Sequence, residues 1–193
     1  MRAWASIAVR TMSLAAAMAG VLLAAGAAPA EPARFHIQPE ASEVGFKATS
    51  RLMDAEGTFS RLTGEVTLDP RDPATAKITL TIESASIDSG IGLRDKHLRS
   101  ADFLDVARFP AITFESLRVE MAGRRAMVTG QLMLHGVTRE IVVPVDVQLS
   151  ESALVATGEF RLNRRDYGIN HSSFLNPVGN IVHVTFTFRA RTS

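Results

Sequence analysis

The sequence contains no cysteine among its 193 residues, and it has only one tryptophan and one tyrosine. The absence of cysteine excludes a disulfide framework, a thiolate zinc site, a cysteine nucleophile and a lipid-modified cysteine anchor. An excess of charge of either sign is also missing, since the chain has 21 basic and 20 acidic side chains. Because nucleic-acid binding usually depends on an excess of basic residues, this balance argues against a nucleic-acid partner.

Sequence motifs of common catalytic sites are absent as well. The chain has no G-x-S-x-G elbow, no H-E-x-x-H motif and no P-loop. The five histidines, at positions 36, 97, 135, 171 and 183, include no two that lie three to five residues apart. Their spacing therefore predicts no local metal site, although the fold could still assemble one through space. We predict no catalytic residue and no metal ligand from the sequence.

The first thirty residues have the pattern of a secretory signal peptide. Two arginines are followed by an apolar run at 12–25, and Ala28-Pro29-Ala30 has the small-x-small pattern that signal peptidase cleaves. The alternative is a retained membrane anchor, but the run is short against the ~20 residues that span a bilayer. We expect cleavage before Glu31 and a mature domain of residues 31–193 in the periplasm, or secretion.

The rest of the chain alternates between apolar and polar residues with the period of two that is typical of strands. The clearest case places Ile141, Val143 and Val145 on one face. Pro144 interrupts this strand and is expected at an edge or a bulge, where no ladder donor is required. Eight strands are predicted, at residues 44–48, 62–68, 77–87, 111–120, 125–135, 139–149, 154–163 and 181–190.

The segment near residues 92–105 breaks this alternation. Leu93, Lys96 and His97 have helical spacing, which predicts a short helix or two turns that could cap one end of a barrel. Short connections between the strands indicate antiparallel neighbours. Periodicity alone leaves two architectures open, a two-sheet sandwich or a closed barrel that can keep a slot for one ligand.

A series of motifs runs in a fixed order through the chain. They are SIDSG at 86–90, RDKHLRS at 94–100, DFLD at 102–105, FPAITFES at 109–116, GQLMLHGVTR at 130–139, NRRDYG at 163–168 and VGN at 178–180, with looser matches at 35–37 and 42–46. Over nearly all of residues 35–190, this series resembles the YceI-like polyisoprenoid-binding family.

The resemblance implies an all-β fold, an extended eight-stranded antiparallel barrel similar to a lipocalin. Its apolar tunnel would hold an isoprenoid lipid, either a polyprenyl phosphate or an isoprenoid quinone, with no cofactor besides that ligand. At ~0.8 kcal/mol per buried carbon, each five-carbon unit gains roughly 4 kcal/mol before ordering costs. The residues that we expect to line the tunnel are Phe46, Ile78, Leu80, Ile82, Phe114, Leu132, Leu134, Val143, Val145, Phe160, Val184 and Phe186. The alternative is that these side chains simply pack on one another.

A polar headgroup would need hydrogen-bond donors at the tunnel mouth. The resemblance points to Arg94, His97, Arg165 and Tyr167, and the fork of an arginine suits phosphate. The alternative is that Arg94 and Asp95 only pin the short helix to the barrel, while Arg164-Arg165 forms a solvated turn.

Three functions remain open at this stage. The first is a non-catalytic carrier or storage protein for an isoprenoid lipid. The second is an enzyme that acts on such a lipid. The third is an accessory protein that delivers a quinone to a membrane redox partner or assists stress tolerance, with transient contact to that partner or to the membrane. The sequence leaves the chain length, the headgroup, the delivery target and homodimer formation undecided.

Overall fold

A computed structural model describes residues 32–51, 54–171 and 178–192 of the chain. In these ranges it contains eleven strands and one α-helix. The strands are β1 (Ala33–Ile37), β2 (Glu43–Ser50), β3 (Ala55–Phe59), β4 (Leu62–Asp69), β5 (Asp72–Glu83), β6 (Ile87–Asp88), β7 (Ala111–Ala122), β8 (Arg125–Leu134), β9 (Val137–Leu149), β10 (Ala153–Asn163) and β11 (Val178–Thr192), and the helix is α1 (Gly92–Arg99). The signal peptide predicted at residues 1–30 lies outside the described residues and stays a prediction.

The strands form one antiparallel sheet that closes on itself. Its order is β1-β4-β5-β7-β8-β9-β10-β11, and β11 pairs back with β1. The shorter strands β2, β3 and β6 extend the sheet where β2 pairs with β11. Three pairs of consecutive strands each follow one line in the sheet with a short interruption, namely β1–β2, β3–β4 and β5–β6. The eleven strands therefore occupy eight positions around a barrel.

This architecture confirms the predicted eight-stranded antiparallel barrel and excludes the sandwich. Each of the eight predicted strands overlaps an observed one. The prediction missed the two five-residue strands β1 and β3, and its single strand at 77–87 joined β5 to the first residue of β6.

The helix α1 is shorter than the predicted segment at 92–105. It ends at Arg99, because the backbone N–H and the hydroxyl of Ser100 both donate to the carbonyl oxygen of His97, at 3.1 and 2.7 Å. Turns continue the path beyond it, and Asp105 takes a left-handed conformation with φ of 44°. In the part of the chain that the structure describes, no helix is long and apolar enough to span a membrane.

Pro144 lies where the pairing of β9 with β10 stops. The last paired positions are Val145 and Gly158, so the residue without a backbone N–H follows the end of this ladder. On its other side β9 is paired with β8 from Val137 to Asp146, and Pro144 itself is paired with Met127. Pro144 was expected at an edge or a bulge, and in the described pairing it lies at a local edge that faces β10, with no bulge.

The strand glycine Gly158 makes room for an aromatic ring inside the barrel. A Cβ at this position would lie 2.5 Å from Cζ of Phe186 and 2.5 Å from the carbonyl oxygen of Pro144. The oxygen belongs to the backbone of the neighbouring strand and cannot move cheaply. The absent side chain thus lets the Phe186 ring lie across β10.

We expect Gly158→Ala to lower the free energy of unfolding by about 1–3 kcal/mol, because the added methyl group collides with backbone and ring together. Urea denaturation measures this change. The control is Glu159→Ala on the exposed side of the same strand, which should stay within about 0.5 kcal/mol of the parent. Equal stability of the two variants would contradict the packing described here.

Candidate functional site

A cavity of about 1040 Å³ occupies the inside of the barrel. Its wall includes Leu93 of α1 at one end and Gly123 of the β7–β8 turn at the other, so it follows the length of the strands. The volume lies at the upper limit of the roughly 300–1,000 Å³ that is usual for small-molecule sites. The alternative of a solid interior is therefore wrong.

The wall of this cavity is almost entirely apolar. Among the described residues that form it, the only polar or charged side chains are Arg94, His97, Arg124, Arg164 and His171. Carboxylates, hydroxyls and amides are all missing from this part of the wall. Such a surface favours a hydrocarbon, because a polar ligand would lose hydrogen bonds to water without regaining them.

The twelve residues predicted to line the tunnel all contribute to this wall. They are Phe46, Ile78, Leu80, Ile82, Phe114, Leu132, Leu134, Val143, Val145, Phe160, Val184 and Phe186. Phe46, Phe114 and Phe160 point inward and yet stay only partly buried, in contrast to Phe35, which is 1% exposed in the packed core. Inward side chains that keep accessible surface are those that border open space. Their contact with a ligand stays a prediction.

At the α1 end, Arg94 is held by the protein itself. Its Nε donates to the Ser89 hydroxyl at 2.9 Å, and its two Nη atoms donate to the carbonyl oxygens of Asp54 at 3.1 Å and Ser89 at 2.8 Å. These bonds connect the helix to the segment before β3. Arg94 therefore reaches the cavity wall, as the headgroup prediction requires, and it also pins the helix, as the alternative states.

Asp95 completes this connection, because it also binds Ser89. Its carboxylate, in a residue that is 7% exposed, accepts hydrogen bonds from the backbone N–H of Ser89 at 2.8 Å and from the Ser89 hydroxyl. The hydroxyl bond, aided by the nearby Arg99 and Arg94 charges, holds the pKa of this carboxyl below its usual value. The ionised form is thus part of the folded structure.

Arg164 is a cavity residue that the sequence did not reveal. It is 4% exposed, and its guanidinium donates to the carbonyl oxygens of Ile169 at 2.7 Å, Gly179 at 3.1 Å and Val178 at 3.1 Å. Burial, with the neighbouring Arg165 charge, lowers its pKa. The alternative that Arg164-Arg165 forms a solvated turn is therefore wrong for Arg164, because three backbone carbonyls accept hydrogen bonds from its guanidinium inside the fold.

Arg165 and Tyr167, the other two predicted headgroup residues, are not part of the cavity wall. Arg165 is exposed, and its backbone N–H donates to the Asn163 side chain at 3.2 Å. Tyr167 is 2% exposed within the core, and burial raises the pKa of its phenol. The 3₁₀ turn that carries both residues directs Arg164 to the cavity instead.

His97, Asp102 and His171 meet at the α1 end of the cavity. The Nε2 atom of His97 lies 3.2 Å from Oδ2 of Asp102, and Nδ1 of His171 lies 3.8 Å from Oδ1 of the same carboxylate. Both imidazoles border the cavity. Sequence spacing could not find this cluster, because His171 is far along the chain from the other two residues.

Comparisons with known proteins agree with this architecture. A family model described as the YceI-like domain matches residues 35–190. A curated relative, "Protein YceI" of Escherichia coli O157:H7, is 40% identical over 103 residues, which is 53% of this chain and 50% of the relative. The chain spans about half the length of the curated relatives it matches.

Two solved structures share the fold. BcnA of Burkholderia cenocepacia is similar with a TM-score of 0.73 and 24% identity, over 79% of this chain and 98% of that one. A polyisoprenoid-binding domain from Saccharophagus degradans has a TM-score of 0.66 and 18% identity, over 84% of this chain and 100% of that one. At these identities the likeness establishes the fold.

We expect Asp95→Asn to lower the free energy of unfolding at pH 7 by about 2 kcal/mol, because a charged hydrogen-bond acceptor is lost from a buried position. The folded pKa lies below the reference value of 3.8, so the contribution is present above that pH and disappears as the pH falls through the folded pKa. Denaturation at pH 7 and at pH 3 should show the difference from the parent narrowing in acid. Glu140→Gln, at an exposed site on β9, is the control, and a difference independent of pH would contradict this role.

Proposed function

The chain belongs to the YceI-like domain family, and we propose that it binds an isoprenoid lipid in the barrel cavity without acting on it chemically. The observation that carries the proposal is the cavity wall, which is apolar apart from three arginines and two histidines among the described residues. The fold neighbour from Saccharophagus degradans, a polyisoprenoid-binding domain, supports the same ligand class.

The energetics favour a branched hydrocarbon chain over a polar ligand. Each five-carbon unit that leaves water for the tube gains roughly 4 kcal/mol, and association and ordering costs are subtracted from the sum. A few buried units suffice for tight binding. The apolar wall offers no hydrogen bond to the hydrocarbon chain of the ligand. Selectivity for the length of that hydrocarbon chain therefore depends on the length and width of the tube.

The polar side chains of the wall give the tube a direction. Arg94, His97, Arg164 and His171 border the α1 end, whereas Arg124 is the one polar wall residue at the other end among the residues that the structure describes. Positive charge in a poorly solvated site attracts an anionic oxygen, or more weakly the partly negative oxygen of a carbonyl. The headgroup, a phosphate or a quinone carbonyl, therefore belongs at the α1 end. Since backbone carbonyls already occupy most Arg94 and Arg164 donors, these residues supply charge more than a bidentate grip.

The same end also carries exposed apolar side chains. Leu93 is 81% exposed and Ile91 is 43% exposed, and both border the cavity. Exposed apolar groups beside a ligand entrance suit brief contact with a lipid surface. In our proposal the protein loads or unloads its ligand with this end against a membrane.

We expect Ala156→Phe to weaken lipid binding at least about tenfold, because a ring on this half-buried wall residue of β10 fills part of the tube. Native mass spectrometry with defined polyprenyl phosphate and isoprenoid quinone measures the bound fraction, and lipid extraction identifies any co-purified ligand. Thr157→Phe places the same ring on the opposite face of the strand and should bind like the parent.

Circular dichroism shows whether each of these variants is folded. The binding proposal would be contradicted if the folded parent protein bound neither the polyprenyl phosphate nor the quinone, whether in cells or in vitro. Turnover of the lipid, lost in a His97→Gln variant that still binds it, would contradict the non-catalytic part.

The proposal places the protein in the periplasm, on the basis of the leader sequence at residues 1–30. We expect osmotic-shock fractions to contain a form whose intact mass corresponds to Glu31 as the first residue. A form that sediments with membranes at full length would contradict cleavage, and recovery in the cytoplasm would contradict export.

A further inference from the structure

We propose that His97, Asp102 and His171 bind one divalent transition-metal ion of the zinc class at the α1 end of the tube. Each residue presents one ligand atom, and all three atoms lie within 4.8 Å of one another. Two imidazoles with one carboxylate form a donor set that suits Zn²⁺ and related ions.

The distances fit a metal with small adjustments. Zinc lies about 2.0–2.2 Å from nitrogen and oxygen ligands, so ligand atoms around a tetrahedral ion are about 3.4 Å apart. The carboxylate oxygens of Asp102 lie 3.2 Å from Nε2 of His97 and 3.8 Å from Nδ1 of His171. These values, to Oδ2 and to Oδ1 respectively, bracket the expected spacing, and the three ligand atoms need to move closer than their present limit of 4.8 Å.

Neighbouring groups hold the ligands in place. The Phe103 ring packs against both imidazoles, with centroid distances of 5.0 Å to each. Ser100 connects the first two ligands, since its hydroxyl donates to the carbonyl oxygen of His97 and accepts from the backbone N–H of Asp102 at 3.4 Å. The rings of His97 and His171 are 5.1 Å apart and nearly perpendicular, so both direct a nitrogen toward one carboxylate.

The site is exposed enough for an ion to enter, and it leaves one coordination position of that ion open. The side chains of His97 and Asp102 are about half exposed, at 50% and 57%, while His171 is 28% exposed. Three protein ligands leave a fourth position open on zinc. Because both histidines border the cavity, that position lies beside the tube, where water or an anionic oxygen can occupy it.

A simple surface ion pair accounts for less of this arrangement. An exposed His–Asp pair contributes little to stability and needs no second imidazole. A shared cation satisfies both nitrogens and the carboxylate together, which is the reason to assign the cluster to a metal.

The test uses lipid-free protein without a histidine tag, freed of metal by dialysis against a chelator. Calorimetric titration with Zn²⁺ should give one ion per chain, and Co²⁺ should give the visible absorption of a four- or five-coordinate site. Outer-shell changes alone cost metal sites about 10–100-fold, so His97→Gln, His171→Gln and Asp102→Asn should each weaken zinc binding at least about a hundredfold. His183→Gln, at an exposed strand position, should leave it unchanged.

The outcomes separate this proposal from lipid binding, because no lipid is present in the titration. Absence of stoichiometric zinc, or affinity equal in the parent and in folded Asp102→Asn protein, would overturn the metal site and leave the lipid proposal intact. Asp102 is exposed, so its conservative variant should fold even where a histidine variant does not. Thermal melting by circular dichroism verifies folding for every variant.

Discussion

The pairing of β11 with both β10 and β1 is the interaction on which the rest of the structure depends. The fifteen residues of β11 pair with three strands, since β2 shares one side of it with β1. This pairing removes the free edges of the sheet and satisfies backbone groups that a buried edge would leave open. It also directs one face of every strand inward, and the alternation of the sequence makes that face apolar.

The sequence was informative where regular alternation runs for many residues. The apolar positions Ile141, Val143 and Val145 predicted the inner face of β9, and all three border the cavity. Periodicity could not distinguish a filled core from a tube, because the same inward side chains serve either. That distinction depends on barrel girth, which follows from the number and stagger of strands rather than from any single residue.

The end of the tube was harder to predict for a different reason. Arg164 and Arg165 are adjacent and chemically identical, yet one is enclosed by backbone carbonyls and the other is exposed. Only the direction of a 3₁₀ turn separates them, and local sequence carries little information about that direction. His171 reaches the same end through the fold, so no spacing rule could associate it with His97.

The short ladder between β9 and β10 has a mechanical consequence for the barrel. Among the described residues past Val145 and Gly158, β10 is paired with β11 alone and β9 with β8 alone. Separating β9 from β10 there breaks no ladder hydrogen bond between them, whereas separating them at Val145–Leu149 and Leu154–Gly158 does. The ladder between β5 and β7 likewise ends at Thr79 and Glu115. The described wall therefore has two stretches without ladder pairs, and a bulky ligand can part the strands there at the least cost in backbone hydrogen bonds.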